Sequence, residues 1–416
     1  MSSAVDEFVY DPFGKEEMRN PLPFYEILRE RYPVYYIEAY DMFVLSRFQD
    51  AWDFLTVGDN VFVTNEGSVI NRADLLNRNN GATTDPPTAP FLATHLQFGA
   101  PVYEQIRQAH TKQLRPGAVR KLEPFVRELV RRRLDRLLAE GEFDLVHEFG
   151  GMISVSTICH LFHIPLGQAR EVLDTINAVT ATDEDGHGFA RDRELQMKML
   201  EFIRPLVAAR RQEGPDGSWH LVDGMLDLRV DGRELSDLEI AGNLTCVLVG
   251  GTETLPKVVG HGLWELARRP EQLAQVRADL DTNAGPAVEE MLRFCGPAQW
   301  FGRTARVETS IAGQVIRPGQ RVIYLTQSAN RDPREFRDAD RFIWNRDIPR
   351  TLAFGRGQHF CVGIHLARLE ARIIVQEFLS RVTDYEIDAD AAVRNPSSFQ
   401  WGYSHLPVRV KEVTGR

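Results

Sequence analysis

Residues 354–363, with the sequence FGRGQHFCVG, constrain this chain more than any other stretch. Gly355 and Gly357 permit a tight backbone that turns its N–H groups inward. After Cys361, apolar residues recur at helical spacing, at Val362, Leu366, Leu369 and Ile373. This spacing predicts a helix with one buried face. Cys361 then lies at the start of that helix, where the dipole and the unpaired amides favour a thiolate.

A thiolate in such a loop can bind one position of an iron whose other ligands come from a macrocycle, and it favours O–O cleavage there. The alternative is a buried free cysteine. The pattern Phe-Gly-x-Gly-x-x-x-Cys-x-Gly resembles the haem-binding loop of cytochromes P-450 at every defining position. The resemblance implies haem b (iron protoporphyrin IX) as the cofactor and Cys361 as the iron ligand. It also implies that Phe354, Gly355 and Gly363 contact the haem.

The resemblance covers residues 20–410 and implies the mainly α cytochrome P-450 fold, with a smaller β-rich portion, as a single domain over residues 1–416. Asn, Gly, Asp and Pro are abundant at 64–101, which indicates a long irregular loop. The remaining patterns predict helical bulk at 102–300 and 362–380, and β-rich parts at 32–46, at 305–326 and in the C-terminal strands.

The composition argues against several kinds of binding partner and structural site. The chain has 49 Lys+Arg against 59 Asp+Glu, a net charge of −10 that argues against nucleic acid or an anionic membrane as a partner. Its four cysteines are far apart, which argues against a zinc site or a disulfide framework and fits a reducing cytosol. No signal peptide or membrane span is visible. The expectation is a soluble, cytoplasmic monomer.

A long helix is predicted to begin at Ser236, because Ser236 and Glu239 form a capping-box pattern ahead of an apolar run. Gly250, Gly251 and Pro256 lie inside it. Each glycine costs a helix about 1 kcal/mol relative to alanine, and an interior proline about 3 kcal/mol. A helix deformed against a bound cofactor would offset these costs.

The same stretch resembles the oxygen-activating helix of the P-450 family, Gly-Gly-x-(Asp/Glu)-Thr. The resemblance implies that Gly250 and Gly251 lie against the haem. It implies that Glu253 and Thr254 deliver protons during dioxygen activation. The alternative is a surface glutamate beside a threonine that bonds back to a helical carbonyl. The family often has Thr or Ser at the position of Leu255, and Pro256 is also a departure.

Two further groups of residues match the family by position. The haem propionates need cationic or hydrogen-bonding partners, for which the candidates are Tyr103, Arg107, Arg303 and His359. The family commonly has His at the position of Tyr103, and Arg107 alone would also suit a solvated helix face. Glu290 and Arg293 match the Glu-x-x-Arg pair, which Arg341 is expected to complete as a structural triad.

The substrate pocket is predicted to be mainly apolar with one or two polar anchors. Its candidates are Asn243, Val247, Gln299, Trp300, Phe301, Phe399 and Trp401. An aromatic stripe is more often core than pocket, so each residue alone is weak support. The expected substrate is a small-to-medium hydrophobic compound, such as a terpenoid, aromatic or steroid-like molecule.

The leading hypothesis is a haem-thiolate monooxygenase that hydroxylates or demethylates such a compound with O2. No nucleotide-binding fingerprint is present, so electrons are expected from an external ferredoxin with its NAD(P)H-dependent reductase. Lys112, Arg115 and Arg356 are the candidate docking charges. The alternatives are a peroxide-dependent haem-thiolate enzyme, which the presence of Glu253 and Thr254 disfavours, and a non-catalytic haem-thiolate sensor.

Overall fold

The computed structural model describes residues 8–79, 102–181, 193–214, 220–230, 232–395 and 397–414. The α-helices are α1 (Lys15–Arg19), α2 (Leu22–Arg31), α3 (Phe48–Thr56), α4 (Arg72–Asn79), α5 (Val102–Thr111), α6 (Pro116–Arg120), α7 (Glu123–Glu140), α8 (Met152–Phe162), α9 (Ala169–Thr180), α10 (Arg193–Glu213), α11 (Asp223–Leu226), α12 (Asp237–Ala267), α13 (Pro270–Ala278), α14 (Leu280–Cys295), α15 (Thr326–Ala329) and α16 (Ile364–Arg381). A π-helix, Leu145–Gly151, precedes α8.

The strands form a smaller β portion beside the helices. They are β1 (Val34–Ile37), β2 (Met42–Leu45), β3 (Phe62–Val63), β4 (Glu142–Asp144), β5 (Arg229–Val230), β6 (Arg233–Glu234), β7 (Trp300–Ala305), β8 (Thr309–Ile311), β9 (Gln314–Ile316), β10 (Arg321–Leu325), β11 (Val382–Ile387), β12 (Val393–Arg394), β13 (Tyr403–His405) and β14 (Pro407–Val413). The main sheet has the order β1-β2-β10-β7-β3, and a second sheet has the order β11-β14-β4. The other strands in the described part of the chain form three two-stranded sheets, β5–β6, β8–β9 and β12–β13.

Helix α12 is the central element of the helical core. The Ser236 hydroxyl oxygen accepts a hydrogen bond from the Glu239 backbone N–H, and the Glu239 carboxylate accepts one from the Ser236 backbone N–H. These two bonds confirm the predicted capping box. The helix runs through Pro256 without a break. It packs against the π-helix, where a Cβ on Gly150 would lie 3.0 Å from Pro256 Cα. The absence of a side chain at Gly150 therefore lets the π-helix approach α12 at the proline.

Most of the predicted elements are confirmed. β1 and β2 form the expected hairpin, and α16 begins three residues after Cys361 with Leu366, Leu369 and Ile373 buried. The β-rich part predicted at 305–326 is confirmed as β8, β9 and β10, with β8 and β9 joined by Ala312 and Gly313, both of which have positive φ. The prediction of a loop at 64–101 is wrong in part: residues 72–79 form α4, and 80–101 lie outside the described residues. The single-domain assignment stays a prediction.

One stretch, Leu145–Phe162, is long and apolar enough to cross a membrane by length and composition alone. It comprises the π-helix and α8, and 78% of it is buried inside the fold. Its hydrophobicity is accounted for by its contacts with α12 and α9 in the core.

Glu370 is a buried carboxyl in the middle of α16. The hydroxyl of Ser154 on α8 donates a hydrogen bond to it. Burial raises the pKa of Glu370 to about 7, although hydrogen bonds from Ser154 and Thr157 act in the opposite direction. The folded-state pKa thus lies above the unfolded value of about 4.3. The stability contributed by the protonated carboxyl is therefore fully present below pH ~4 and is lost as the pH rises through about 7.

Glu370→Gln is expected to remove this pH dependence, because the amide stays neutral. Between pH 5 and pH 8 the variant should gain roughly 2–3 kcal/mol in free energy of unfolding relative to the parent. Urea unfolding at the two pH values measures the difference, with the exposed Glu412→Gln as the control. A parent and a Glu370→Gln protein with the same pH profile would contradict an uncharged, buried Glu370.

Candidate functional site

The loop at 354–363 is held by its own backbone and by α3. Gly355 and Gly357 have φ of 67° and 73°, in the left-handed region that favours glycine. A Cβ on Gly357 would also run into the carbonyl oxygen of Leu55. The backbone N–H of Cys361 donates to the Phe354 carbonyl at 3.0 Å, which closes the loop. The two glycines are therefore required for the path that presents Cys361.

Cys361 lies two residues before Gly363, the N-cap of α16. Burial raises the pKa of the Cys361 thiol. The backbone N–H groups of Gly363 and Ile364 and the charge of Arg107 lower it, but they do not offset burial. The amides at the helix start therefore favour the thiolate, as expected, but burial outweighs them. A metal ion would deprotonate the thiol directly.

Helix α5 is hydrogen-bonded to the cysteine loop. The Tyr103 hydroxyl donates to the Gln358 carbonyl at 2.9 Å and accepts from Arg107 Nη1 at 2.9 Å. Arg107 Nη2 donates to the Phe360 carbonyl. The Arg107 charge also lowers the pKa of the Cys246 thiol on α12, although burial raises that pKa overall to about 12. The charge of Arg107 therefore acts on both Cys361 and Cys246.

Two of the residues predicted to bind the haem propionates, Arg303 and His359, have buried polar atoms without a hydrogen-bond partner among the described residues. Arg303 on β7 donates from Nη1 to the Val57 carbonyl at 2.9 Å, whereas its buried Nη2 has no hydrogen-bond partner among the described residues. Neither ring nitrogen of His359 has one there either, and its nearest carboxylate oxygen, Asp59 Oδ1, is 3.5 Å from Nε2. Burial, with a further contribution from Arg303, lowers the pKa of His359 to about 4. An anionic ligand would satisfy both groups.

The two glycines of α12 have different surroundings. A Cβ on Gly251 would collide with the side chain of Ile158, so Gly251 allows α8 to pack closely. Gly250 is exposed, and no described atom lies within 4 Å of the position of its Cβ. Cys246 lies one turn before Gly250 and Thr254 one turn after it, and both are partly exposed. The open side of α12 is therefore lined by these three residues.

The residues fit haem on three observations. Cys361 is a soft ligand presented by a tight loop. Arg303 and His359 have buried polar atoms that two propionates could satisfy. Gly250 leaves open a side of α12 that packing would otherwise fill. These features lie on the loop, on β7 and on α12, and α5 is hydrogen-bonded to the loop.

Glu253 is buried and fully engaged. Its Oε1 accepts from Thr180 Oγ1 at 2.6 Å and from Lys257 Nζ at 3.0 Å. Its Oε2 accepts from Gln400 Nε2 at 2.7 Å. A surface glutamate is therefore excluded. The Thr254 hydroxyl donates to the Gly250 carbonyl at 3.1 Å. This is the bond to a helical carbonyl that the alternative interpretation of this threonine predicted.

The predicted pocket residues divide into exposed and buried sets. Phe301 and Phe399 are partly exposed, and their ring centroids are 5.2 Å apart. The other five are 5% exposed or less: Asn243, Val247, Gln299, Trp300 and Trp401. Gln299 is also tied into the scaffold, since it accepts from the Tyr25 hydroxyl and donates to the Ser397 carbonyl. Cys246 is not among the predicted site residues, although its spacing of four residues before Gly250 could have identified it.

The Glu-x-x-Arg pair is fully buried. Both carboxylate oxygens of Glu290 accept from Arg293 at 2.7 Å, and Arg293 also donates to the carbonyls of Asn330 and Ala339. The second arginine on Glu290 is Arg346, at 3.2 Å. The side chain of Arg341 is exposed and only its carbonyl reaches Arg293. The prediction that Arg341 completes the triad is therefore wrong, and Arg346 takes that place.

Comparison with known proteins gives a consistent result. A family model described as cytochrome P450 matches residues 185–402. A putative cytochrome P450 123 from Mycobacterium tuberculosis (strain ATCC 25618 / H37Rv) is 31% identical over 97% of this chain and 98% of its own length. The cytochrome P450 monooxygenase PikC from Streptomyces venezuelae is 32% identical over 76% of this chain and 75% of its own length. The crystal structure of CalO2 superposes with a TM-score of 0.83 at 26% identity, covering 97% of this chain and 99% of that one.

Proposed function

The chain belongs to the cytochrome P450 family, whose members are haem b monooxygenases, and we propose that it oxidises a small-to-medium hydrophobic compound with electrons from an external ferredoxin. In this reaction one oxygen atom of O2 enters the substrate and the other leaves as water, with two electrons and two protons consumed. The observation that carries the proposal is Cys361, presented by a closed loop beside the Arg107 and Tyr103 pair.

The site residues would divide the tasks of that reaction. Cys361 would bind the haem iron, and haem would supply the iron chemistry that activates dioxygen. Arg303 and His359 would bind the propionates, and Arg107 and Tyr103 hold the cysteine loop beside them. Gly250 leaves open space on α12 that the cofactor and the substrate would occupy.

Proton delivery is assigned to Glu253 and Thr254. Thr254 lies on the open side of α12, and the adjacent Glu253 is buried among three hydrogen-bond donors. A carboxylate held in this way can accept a proton and pass it on when its side chain rotates toward the threonine. The hydroxyl both donates and accepts, so it can hand a proton to the reaction centre.

Thr254→Ala is expected to uncouple the reaction. NADH oxidation should continue, while product formed per NADH falls about tenfold or more, because a positioned proton donor is lost. Thr245→Ala is the matched control, since Thr245 is also partly exposed on α12 and also donates to a carbonyl four residues back, that of Ala241 at 2.8 Å. The substrate for the assay comes from a spin-state screen of terpenoids, aromatic acids and steroids. Equal coupling in parent and Thr254→Ala would count against this role for Thr254.

The substrate class is inferred from the accessible walls of the site. Phe301 and Phe399 present apolar rings, and Cys246 and Thr254 on α12 add small side chains. A hydrophobic molecule of modest size matches such walls better than a charged one. Thr254 is the polar group best placed to orient it.

The electron donor is inferred from charge. Lys112 and Arg115 are exposed directly after α5, the helix that braces the cysteine loop. Arg356 lies in the loop itself and stacks on the Trp52 ring at 3.7 Å, so only part of it can meet a partner. A ferredoxin with an acidic face fits Lys112 and Arg115. In this proposal the protein is a cytoplasmic monomer, and the ferredoxin carries electrons to it from an NAD(P)H-dependent reductase.

A further inference from the structure

Three buried polar atoms beside the second half of α12 have no hydrogen-bond partner among the described residues. They are Nδ1 of His261 on α12, Nη1 of Arg394 on β12 and Nε1 of Trp401, two residues before β13. His261 and Trp401 are 4% and 3% exposed. Buried polar groups in folded proteins are almost always hydrogen-bonded. Unbonded atoms on three separate segments therefore mark a place that a small ligand or ordered water completes.

The side chains that carry these atoms pack against one another. The ring centroids of His261 and Trp401 are 5.3 Å apart. The guanidinium carbon of Arg394 lies 5.2 Å from the Trp401 ring centroid and 4.6 Å from that of Tyr403 on β13. The Tyr403 ring centroid is in turn 5.2 Å from that of His261. Groups at these separations can share one small ligand.

The charge beside Trp401 is positive and unbalanced. The Arg331 guanidinium carbon lies 5.2 Å from the same ring centroid, and Arg331 is 2% exposed. Its hydrogen bonds go to neutral groups, the Gln327 side chain and the Phe294 carbonyl. Neither Arg331 nor Arg394 forms an ion pair within the part of the chain that the structure describes. A buried guanidinium without a counter-charge is costly, so this arrangement favours an anion.

Glu265, the acid that contacts His261, does not supply that counter-charge. Its carboxylate lies 3.5 Å from His261 Nε2 and 3.3 Å from Arg268 Nη1, and it also accepts from Arg269. Two arginines therefore already balance this one carboxylate. The counter-charge for the guanidinium groups beside Trp401 has to come from another source.

We propose that a small monovalent anion of the size of chloride binds between Trp401 and Arg394. The indole N–H and the Nη1 N–H donate to it, and the charge of Arg331 adds to that of Arg394. Because Glu265 contacts Nε2 of His261, the neutral ring keeps its proton there and Nδ1 is an acceptor. His261 then accepts from a water molecule beside the ion. No step of the proposed oxidation depends on this site.

The anion joins the two ends of the segment between β12 and β13. Arg394 and Trp401 lie at those ends, and the backbone N–H of Trp401 donates to the Pro297 carbonyl at 2.7 Å. Phe399, whose ring lies beside that of Phe301, is within the segment. The bound anion therefore fixes the segment that carries Phe399. It also stabilises the folded state, because the unfolded chain has no such site.

Bromide tests the site, because it can replace chloride and scatters anomalously. Crystals of the haem-loaded parent grown in sodium bromide should show an anomalous peak beside Trp401 Nε1 and Arg394 Nη1. In solution, replacing sodium gluconate with sodium bromide at constant ionic strength should raise the thermal unfolding midpoint by a few degrees. Both effects should be lost in Arg394→Met and in Trp401→Phe, each of which removes one of the two donors.

Trp264→Phe and Arg268→Met are the matched controls. The Trp264 ring also packs on Tyr403, with centroids 4.8 Å apart, and the exposed guanidinium of Arg268 lies over Trp264. These changes alter the same neighbourhood and leave the proposed donors in place. Both variants should keep the anomalous peak and the bromide effect.

Several results would overturn the proposal. One is a parent map with ordered water or no peak between Trp401 and Arg394. Another is a peak without any bromide effect in solution, which is binding at crystal concentration only. A bromide effect that survives in Trp401→Phe would do the same. If Arg394→Met does not fold, the parent map and Trp401→Phe still decide.

Discussion

Cys361→Ser is expected to reduce product formation to background, because the serine hydroxyl does not replace a thiolate as the ligand that activates the iron. The unsatisfied polar atoms of Arg303 and His359 would still be available to hold the haem propionates, so the expected loss is one of chemistry more than of folding. The expected signature is a carbon-monoxide adduct without the red-shifted Soret band of a thiolate haem, together with no turnover.

Cys246→Ser is the matched control for that change. Its thiol is likewise influenced by burial and by the charge of Arg107, but it lies on α12 and outside the glycine loop. We expect this variant to keep the thiolate spectrum. If instead Cys246→Ser lost the spectrum while Cys361→Ser kept it, the assignment of the iron ligand would be contradicted.

Arg293→Ala is expected to be the most destabilising single change in the scaffold. It leaves the Glu290 carboxylate, which is fully buried, without its main partner, and it removes donors from the carbonyls of Asn330 and Ala339. Breaking a buried pair from one side costs about 3–5 kcal/mol. Because a folded domain is stable by only ~5–15 kcal/mol, much of the protein should fail to accumulate with haem.

The matched control for Arg293→Ala is Arg341→Ala. The Arg341 side chain is exposed, and only its backbone carbonyl takes part in the cluster, so the change should stay within about 0.5 kcal/mol. Arg346→Ala should fall between the two, because Arg346 contacts Glu290 at 3.2 Å. Urea unfolding midpoints measure all three. An Arg341→Ala protein as unstable as Arg293→Ala would contradict the arrangement seen here.

Local signals were sufficient for the parts of the fold that depend on sequence neighbours. The capping box at Ser236 and Glu239, and the apolar face of α16, were predicted because each is determined within one or two turns of helix. The glycines around Cys361 were informative for the same reason, since a tight loop with positive φ needs them locally.

Long-range partners could not be predicted in this way. Gln400 reaches Glu253 across 147 residues, and no periodicity connects the two. The choice of Arg346 over Arg341 depends on the path of an irregular segment between β10 and α16, where sequence spacing gives no register. All four predicted pocket aromatics have the same apolar character in the sequence. The sequence therefore does not distinguish Phe301 and Phe399, which are partly exposed, from Trp300 and Trp401, which are buried.

The most direct test of this account is the absorption spectrum of the purified, haem-loaded protein after reduction and exposure to carbon monoxide. If the Cys361 thiolate is the protein ligand of the iron, the carbon-monoxide adduct should show the strongly red-shifted Soret band from which the family takes its name. A Soret band at the position given by a haem with a neutral nitrogen ligand, or a protein that takes up no haem when supplied with it, would contradict the account.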